Sequence, residues 1–521
     1  MAYLLEATAR RKGDELAVID EFASLTWTAL NERVNKVMNL FKALALQPGD
    51  TISLMSGNRN EYFEIAAAAL HAGLIIVPVN WHWTDKELAY VLDDSDSRAL
   101  FVEDKFAEVA ARAFGDPKTS RCSARVVLGS AEVEGFVSYN AALVDLSDDE
   151  PDEAKRGAVM FYTSGTTGFP KGVRSSRWAD EGHVSEFGAL GAAVSAVLGI
   201  PHDGVTLLDG PAYHSAQFGL SVYPLLAIGS SVVMRQKFDA ASMLTLIDQH
   251  QVTNVHLVPT QFVRLLKLSD EQKNAFSGSS LVTIPHGAAP CSPTVKRQMM
   301  EWWGPILTEY YGATESGFLT VATGQEWLDH PGTVGKATRA NEILILNDEG
   351  ESCPTGEVGT ICWRNLTGAD FKYHKAEGKT ESAHLAPGIG TVGDVGYLDD
   401  DGFLYLSDRK IDMIISGGVN IYPAEIEGVL ITHPSVADAA VFGIPDEEMG
   451  EQVKAAIELV GGVTPSDTLA HELIAFVREN LAGYKALKSI DFEQALPRHP
   501  TGKLYKRLLR DKYWDNAGRS I

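Results

Sequence analysis

Short apolar runs alternating with helical repeats constrain this chain more than any other feature. From Trp27 the residues Leu30, Val34, Val37, Met38 and Phe41 recur at helical spacing, Pro48-Gly49-Asp50 breaks the pattern, and residues 51–55 run as a strand. A helical segment over 61–72 leads into the apolar run 74–79, a helix capped by Thr84 follows over 84–92, and 99–102 is strand-like again. The same order returns over 244–257 and 295–307. Strands apolar on both faces and separated by helices predict parallel sheets covered on both sides. The fold class is therefore α/β, with doubly wound parallel sheets in a large N-terminal domain.

After residue 334 short strands with Gly and Asp turns take over, at 342–346, 359–363 and 402–406. They predict a β-rich subdomain over 334–408, inside an N-terminal domain spanning 1–408. Residues 409–521 form a small α+β domain. Its first helix opens on Pro423, a favoured first-turn position, with Ile426, Val429 and Leu430 on one face. Residues 453–459 alternate as a strand, and Leu469, Leu473, Phe476 and Val477 mark a helix stopped by Gly483.

The composition, 45% hydrophobic and 22% charged over 521 residues, is that of a globular protein and excludes a disordered or fibrous one. The charge is less ordinary: 45 Lys+Arg against 69 Asp+Glu leaves −24. Such a surface repels phosphate backbones, so nucleic acid is not an expected partner, and an anionic ligand must find a local positive site. Cys122, Cys291, Cys353 and Cys362 form no C-x-x-C spacing and no disulfide scaffold, which with the absence of a basic, apolar leader predicts a reduced, cytoplasmic protein. The most apolar stretch, 187–201, is shorter than the roughly 20 residues a bilayer requires. It is expected as a buried helix, and no transmembrane segment is predicted.

Chemistry concentrates in residues 162–172, where Thr163, Ser164, Gly165, Thr166, Thr167, Gly168 and Lys171 follow the apolar run 157–161. Glycines let backbone N–H groups approach an anion, hydroxyls add donors and a lysine adds a point charge, which together describe a phosphate cradle. The Walker pattern is absent, because no glycine directly precedes Lys171 and no Ser or Thr follows it.

This loop resembles the signature of the adenylate-forming superfamily, which includes acyl-CoA synthetases, peptide-synthetase adenylation domains and beetle luciferases. Further segments agree in order: His286-Gly287-Ala288-Ala289-Pro290 resembles the adenine-pocket turn, and Tyr310-Tyr311-Gly312-Ala313-Thr314-Glu315 the Tyr-Gly-x-Thr-Glu segment. Gly393-Asp394 resembles the ribose-binding segment. Asp408-Arg409 through Ser416-Gly417-Gly418 resembles the hinge and thiol-side loop, and Pro500-Thr501-Gly502-Lys503 the segment of the catalytic lysine. The resemblance implies a C-terminal domain that swings about the hinge, although Ile411 stands where a polar hinge residue is expected, leaving Lys410 and Asp412 as candidates.

Each segment also has a physical reading. Tyr311 beside Gly312 can stack on adenine. Thr314 is a phosphate donor, and Glu315 a hard carboxylate suited to Mg²⁺. Asp394 can accept from ribose hydroxyls, with Arg409 as a nearby donor. Lys503, with Glu315 and Thr163, is assigned to catalysis, holding charge as it builds at the α-phosphate. Tyr213, His214, Gln217 and Phe218 are expected in a mostly hydrophobic acid pocket; the aspartate that amino-acid-activating relatives carry there is missing, which argues against an α-amino acid.

The expected reaction joins a hydrophobic carboxylic acid to CoA through acyl-AMP, consuming ATP with Mg²⁺. A carrier protein as acyl acceptor, a luciferase-like oxygenase and a non-catalytic nucleotide binder remain open, as do the acid (fatty, aryl or sterol-side-chain) and a homodimeric state. Gly388-Ile389-Gly390-Thr391-Val392-Gly393 matches G-x-G-x-x-G, but a turn between short strands, not a helix, is predicted to follow it. The three aspartates at 399–401 are read as that turn's solvated tip.

Overall fold

The computed structural model describes residues 4–151, 154–163, 170–175, 183–409, 412–416, 419–446, 449–498 and 504–514. Two parallel sheets sandwich a layer of helices. The first runs, in spatial order, Val137–Ser138, Ala124–Leu128, Ser97–Glu103, Thr51–Met55, Ile75–Pro78 and Ala158–Val159, every pair parallel. The second orders Asn254–Val255, Val205–Leu208, Ser231–Met234 and Leu16–Ile19 in parallel, closed by the antiparallel edge Ser24–Thr26.

Consecutive strand residues serve different cores, which is why these strands read as unbroken apolar runs. Leu54, Phe101, Leu208 and Val232 face the helices Trp27–Ala43, Asn60–His71 and Ser215–Ile228 between the sheets. Their neighbours Met55 and Leu100 turn to the helix Asp85–Asp94, and Leu207 and Val233 to Ala240–His250, Pro259–Leu266 and Pro293–Trp303. Thr84 caps its helix through a reciprocal pair: the Thr84 N–H donates to Glu87 Oε2 at 2.8 Å, and the Glu87 N–H to Thr84 Oγ1 at 3.4 Å.

The expected buried helix over 187–201 is instead the one-sided helix Val184–Val197. Val184, Phe187, Gly188, Gly191 and Ser195 face inward, while Val197 is 47% exposed. Small residues raised the apolarity of this stretch without adding bulk to bury. Gly191 lets the helix pack closely on Ser215–Ile228: a Cβ there would sit 2.7 Å from that of Ala227.

Beyond residue 334 the chain is β-rich, but its strands continue a sheet already begun. Gly335–Ala337, Asn341–Leu346, Gly359–Asn365, His384–Ala386, Ile389–Leu398 and Phe403–Arg409 join Ile284–His286, Leu307–Ala313 and Gly317–Ala322 in one nine-stranded sheet, with Thr320 opposite Ala337. Strand Ile389–Leu398 leads into strand Phe403–Arg409, as the predicted turn requires. Asp399 Oδ1 accepts from the Asp401 and Phe403 N–H groups at that tip. The C-terminal unit is a five-stranded sheet with Pro423–Leu430 and Asp467–Asn480 on one face and Lys506–Trp514 on the other. No helix among the described residues is long and apolar enough to cross a membrane.

Candidate active site

Strands Phe161–Thr163 and Lys171–Ser175 pair antiparallel with Thr163 opposite Lys171, so both mouths of the glycine-rich loop sit together at the strand ends. Ser164, Gly165, Thr166, Thr167 and Gly168 lie outside the described residues. The hairpin is anchored by Tyr162, whose hydroxyl donates to Asp94 Oδ2 at 2.6 Å. A third strand, Phe371–Tyr373, leaves the region of the large sheet to pair with Lys171–Ser175.

That strand delivers Tyr373 to the site. The Lys171 ammonium lies 5.0 Å from the centre of the Tyr373 ring, and the Tyr373 hydroxyl donates to Glu315 Oε1 at 3.0 Å. Partial burial lowers the Lys171 pKa, the charge of Lys379 pushes the same way, and Glu315 opposes them. Burial and the Glu315 carboxylate raise the Tyr373 hydroxyl, keeping it a donor.

Glu315 sits at the tip of the hairpin joining Leu307–Ala313 to Gly317–Ala322. A bulge interrupts that ladder between Tyr311 and Gly312, and a Cβ on Gly312 would stand 1.9 Å from the Gly317 carbonyl oxygen, so only glycine fits. The Ala313 N–H donates to Ser316 Oγ at 2.9 Å, which closes the tip. Thr314 Oγ1 lies 3.1 Å from Ser215 Oγ, at the start of helix Ser215–Ile228.

Beside this tip the Tyr311 hydroxyl donates to Asp394 Oδ2 at 2.8 Å, and Asp394 stands opposite Arg409 in the strand register. Gly287 lies against Tyr310, where a Cβ would be 2.6 Å from the Tyr310 carbonyl oxygen, and Ala288 adopts φ +67°, a left-handed conformation rare outside glycine. Ala289 is partly buried in the same turn. Beneath it the buried Lys296 ammonium pairs with Glu309 Oε2 at 2.6 Å, fixing strand to helix.

The residues expected around an acid pocket divide. Tyr213 meets the Trp81 ring edge-on at 4.7 Å, and Tyr505 of the C-terminal unit acts electrostatically on the Tyr213 hydroxyl. His214 caps the helix that follows, its Nδ1 accepting from the Ala216 N–H at 3.4 Å. Gln217 Nε2 lies 2.9 Å from His256 Nδ1, and His256 Nε2 2.8 Å from the Tyr310 hydroxyl. Burial, reinforced by His214, lowers the His256 pKa to about 3, so the ring is neutral near pH 7. With the amide donating to Nδ1, the ring proton sits on Nε2 and points at Tyr310. Phe218 is a correction: it is fully buried among Tyr62, Phe161 and Tyr223, a core residue and not a pocket wall.

On the C-terminal unit Ser416 pairs with Gly450 at a strand end. Gly417, Gly418, Lys410, Ile411 and Lys503 lie outside the described residues, as does the side chain of Arg409; Asp412 is partly buried. The segment holding Lys503 is bracketed by a bridge between Arg498 and Leu504.

A sequence profile described as AMP-binding enzyme matches residues 5–368, and the AMP-binding enzyme C-terminal domain matches 425–503. The chain belongs to the AMP-binding enzyme family. A fatty acid–acyl-carrier-protein ligase, ScoC, of Streptomyces coeruleorubidus is 31% identical over 97% of this chain and 95% of its own length. A feruloyl-CoA synthase of an Amycolatopsis species is 31% identical over 97% of both chains. Among solved structures, the o-succinylbenzoate CoA synthetase of Bacillus subtilis, in complex with its acyl-adenylate intermediate, superposes with a TM-score of 0.80 at 27% identity, covering 98% of each chain.

In this AMP-binding enzyme four residues of the site escaped the sequence reading: Tyr373, Trp81, Ser215 and His256. Trp81 and His256 had a signal, since each follows the C-terminal end of a parallel strand, where open α/β sheets bind ligands. Tyr373 had none, because its partner Glu315 lies 58 residues earlier.

Proposed function

We propose that the protein is a cytoplasmic, AMP-forming acid–CoA ligase that activates a hydrophobic carboxylic acid. The observation that carries this reading is the convergence, on one edge of the sheets, of Lys171, Tyr373, Glu315 and Thr314 with the Tyr311–Asp394 pair, next to the Tyr213–Trp81 aromatic wall. These residues suit a nucleoside triphosphate. Thr163 and Lys171 receive the phosphates at the loop's two mouths, Asp394 and Arg409 the ribose, and the 287–289 turn with Tyr311 and Gly312 the base.

In the first step an oxygen of the acid attacks the α-phosphorus of ATP, and the bond to pyrophosphate breaks. Lys503 carries the charge that builds there, a role that rests on its resemblance to the catalytic lysine. Glu315, a single carboxylate on a partly exposed tip, fits Mg²⁺, which favours one or two carboxylates plus substrate phosphates and when bound supplies charge neutralisation. In the second step the CoA sulfur attacks the acyl carbon, AMP leaves, and the thiol proton passes to solvent. Ser416, Gly417 and Gly418 line the approach of the thiol on a C-terminal lid, residues 409–521.

The relatives support CoA as acceptor, with feruloyl-CoA synthase and o-succinylbenzoate CoA synthetase spanning nearly the whole chain. ScoC favours a second reading, delivery to a carrier protein. The test is acid-dependent ATP–pyrophosphate exchange over a panel of acids, followed by addition of CoA or a carrier thiol. Lys503→Ala is expected to abolish exchange while sparing thioester formation from preformed acyl-AMP. Equal loss of both half-reactions would sink the assignment of Lys503.

A further inference from the structure

The C-terminal unit meets the N-terminal one at Lys267. This residue caps the C-terminal end of helix Pro259–Leu266, whose N-terminal end follows His256 at the site. Its ammonium donates to the Val436 carbonyl at 2.7 Å, across the junction. Partial burial lowers its pKa, and the carboxylates of Asp438 and Glu458 oppose that fall. Both carboxylates hold the chain around the catalytic segment: Asp438 Oδ1 accepts from Arg498 Nη2 at 2.6 Å, and Glu458 Oε2 from the Leu496 N–H at 2.9 Å. Arg498 bridges to Leu504, and the next residue, Tyr505, reaches Tyr213 electrostatically. A second junction contact lies on the neighbouring helix, where Ser292 Oγ donates to the Gly428 carbonyl at 3.2 Å.

We propose that Lys267 is a positioning residue: through its bond to Val436 it docks the C-terminal unit, and with it Arg498, Leu504 and Tyr505, on the N-terminal one. An ammonium donating to a carbonyl makes a charge-assisted bond, and the charges of Asp438 and Glu458 favour the protonated form that donates it. The inference rests on the ligase reading for its kinetic consequence only. Lys267 stands at the end of its helix remote from His256 and bonds the C-terminal unit, so its effect should fall on the half-reaction that needs Lys503.

Two measurements separate the anchor from that reading. In a Cys291→Ser background, Ser292→Cys with Gly428→Cys reports docking directly, because a Cβ at Gly428 would lie 3.9 Å from that of Ser292, within the roughly 3.5–4.5 Å that a disulfide spans. Adding Lys267→Ala is expected to slow this cross-link, and Lys267→Arg to restore it. In the enzyme without added cysteines, Lys267→Ala should lower the rate of ATP–pyrophosphate exchange about tenfold, with KM for ATP unchanged and thioester formation from preformed acyl-AMP intact. An unchanged cross-linking rate, or equal loss of both half-reactions, would overturn the proposal. Failure of the wild type to form acyl-AMP from any acid would sink the ligase reading instead, and the cross-linking rate would still decide the anchor.

Discussion

Glu64 and Glu315 are both held by a tyrosine hydroxyl, and the comparison separates a structural carboxylate from one offered to a ligand. Glu64, 1% exposed, has both oxygens occupied: Oε1 accepts from Arg33 Nε at 2.6 Å and Oε2 from the Tyr139 hydroxyl at 2.6 Å. It ties helix Asn60–His71 to Trp27–Ala43 in the layer between the sheets. Glu315 takes one hydroxyl, from Tyr373, on a hairpin tip that solvent reaches, with Lys171 nearby. A buried carboxylate must be paired to be tolerated, whereas one poised at a tip keeps its remaining capacity for incoming groups.

The largest effect is expected where the pairing is complete. Glu64→Ala leaves Arg33 and Tyr139 facing a buried gap and should cost about 3–5 kcal/mol of stability, read by denaturant unfolding. The folded fraction should keep wild-type exchange activity per molecule. A specific-activity loss without a stability loss would erase the distinction between the two glutamates.

Glu315→Gln reverses the expectation. The amide keeps an acceptor for Tyr373, so stability should stay within about 0.5 kcal/mol of wild type. Acid-dependent ATP–pyrophosphate exchange should fall at least 10²-fold, about 2.7 kcal/mol of transition-state stabilisation. If the unfolding midpoint collapsed instead, Glu315 would belong with Glu64.

How much of this was legible in the sequence depended on whether a residue's neighbours are local. The parallel strands were legible because Leu207 and Leu208, or Leu54 and Met55, feed cores on opposite faces, and so leave an apolar run. The Phe218 expectation failed because Gln217 and Phe218 are adjacent in sequence but about 100° apart around a helix. One reaches His256, and the other enters the core. Tyr373 was illegible because a strand changes sheets to deliver it, and no local pattern encodes that exchange.

A third buried group tests whether pairing alone marks a structural site. His256 is held neutral by burial, with a pKa lowered to about 3 against an ordinary 6.5. The unfolded chain therefore takes up a proton below about pH 6.5 that the folded chain refuses. The stabilisation is fully present above that pH and is lost as pH falls toward 3. The stability difference between wild type and His256→Gln should shrink by about 1.4 kcal/mol for each pH unit between about 6 and 4. A pH-independent difference would mean that the ring is protonated in the fold, and the Gln217–His256–Tyr310 chain would need a different proton arrangement.

The smallest effect is the sharpest probe of the comparison, because it removes the same atom from both sites. Tyr139→Phe takes a hydroxyl from a fully buried carboxylate oxygen and should cost about 1–3 kcal/mol of stability, the penalty of an unsatisfied buried acceptor. Tyr373→Phe takes one from Glu315, which water can reach, so stability should change by less than about 0.5 kcal/mol. Its effect should appear instead in exchange activity, a loss of about three- to tenfold from a carboxylate that has lost the hydroxyl orienting it, while Lys171 keeps the ring it lies over. Equal stability losses in the two variants would show that Glu315 is as deeply committed to the fold as Glu64, and its tip would then be scaffold and not ligand site.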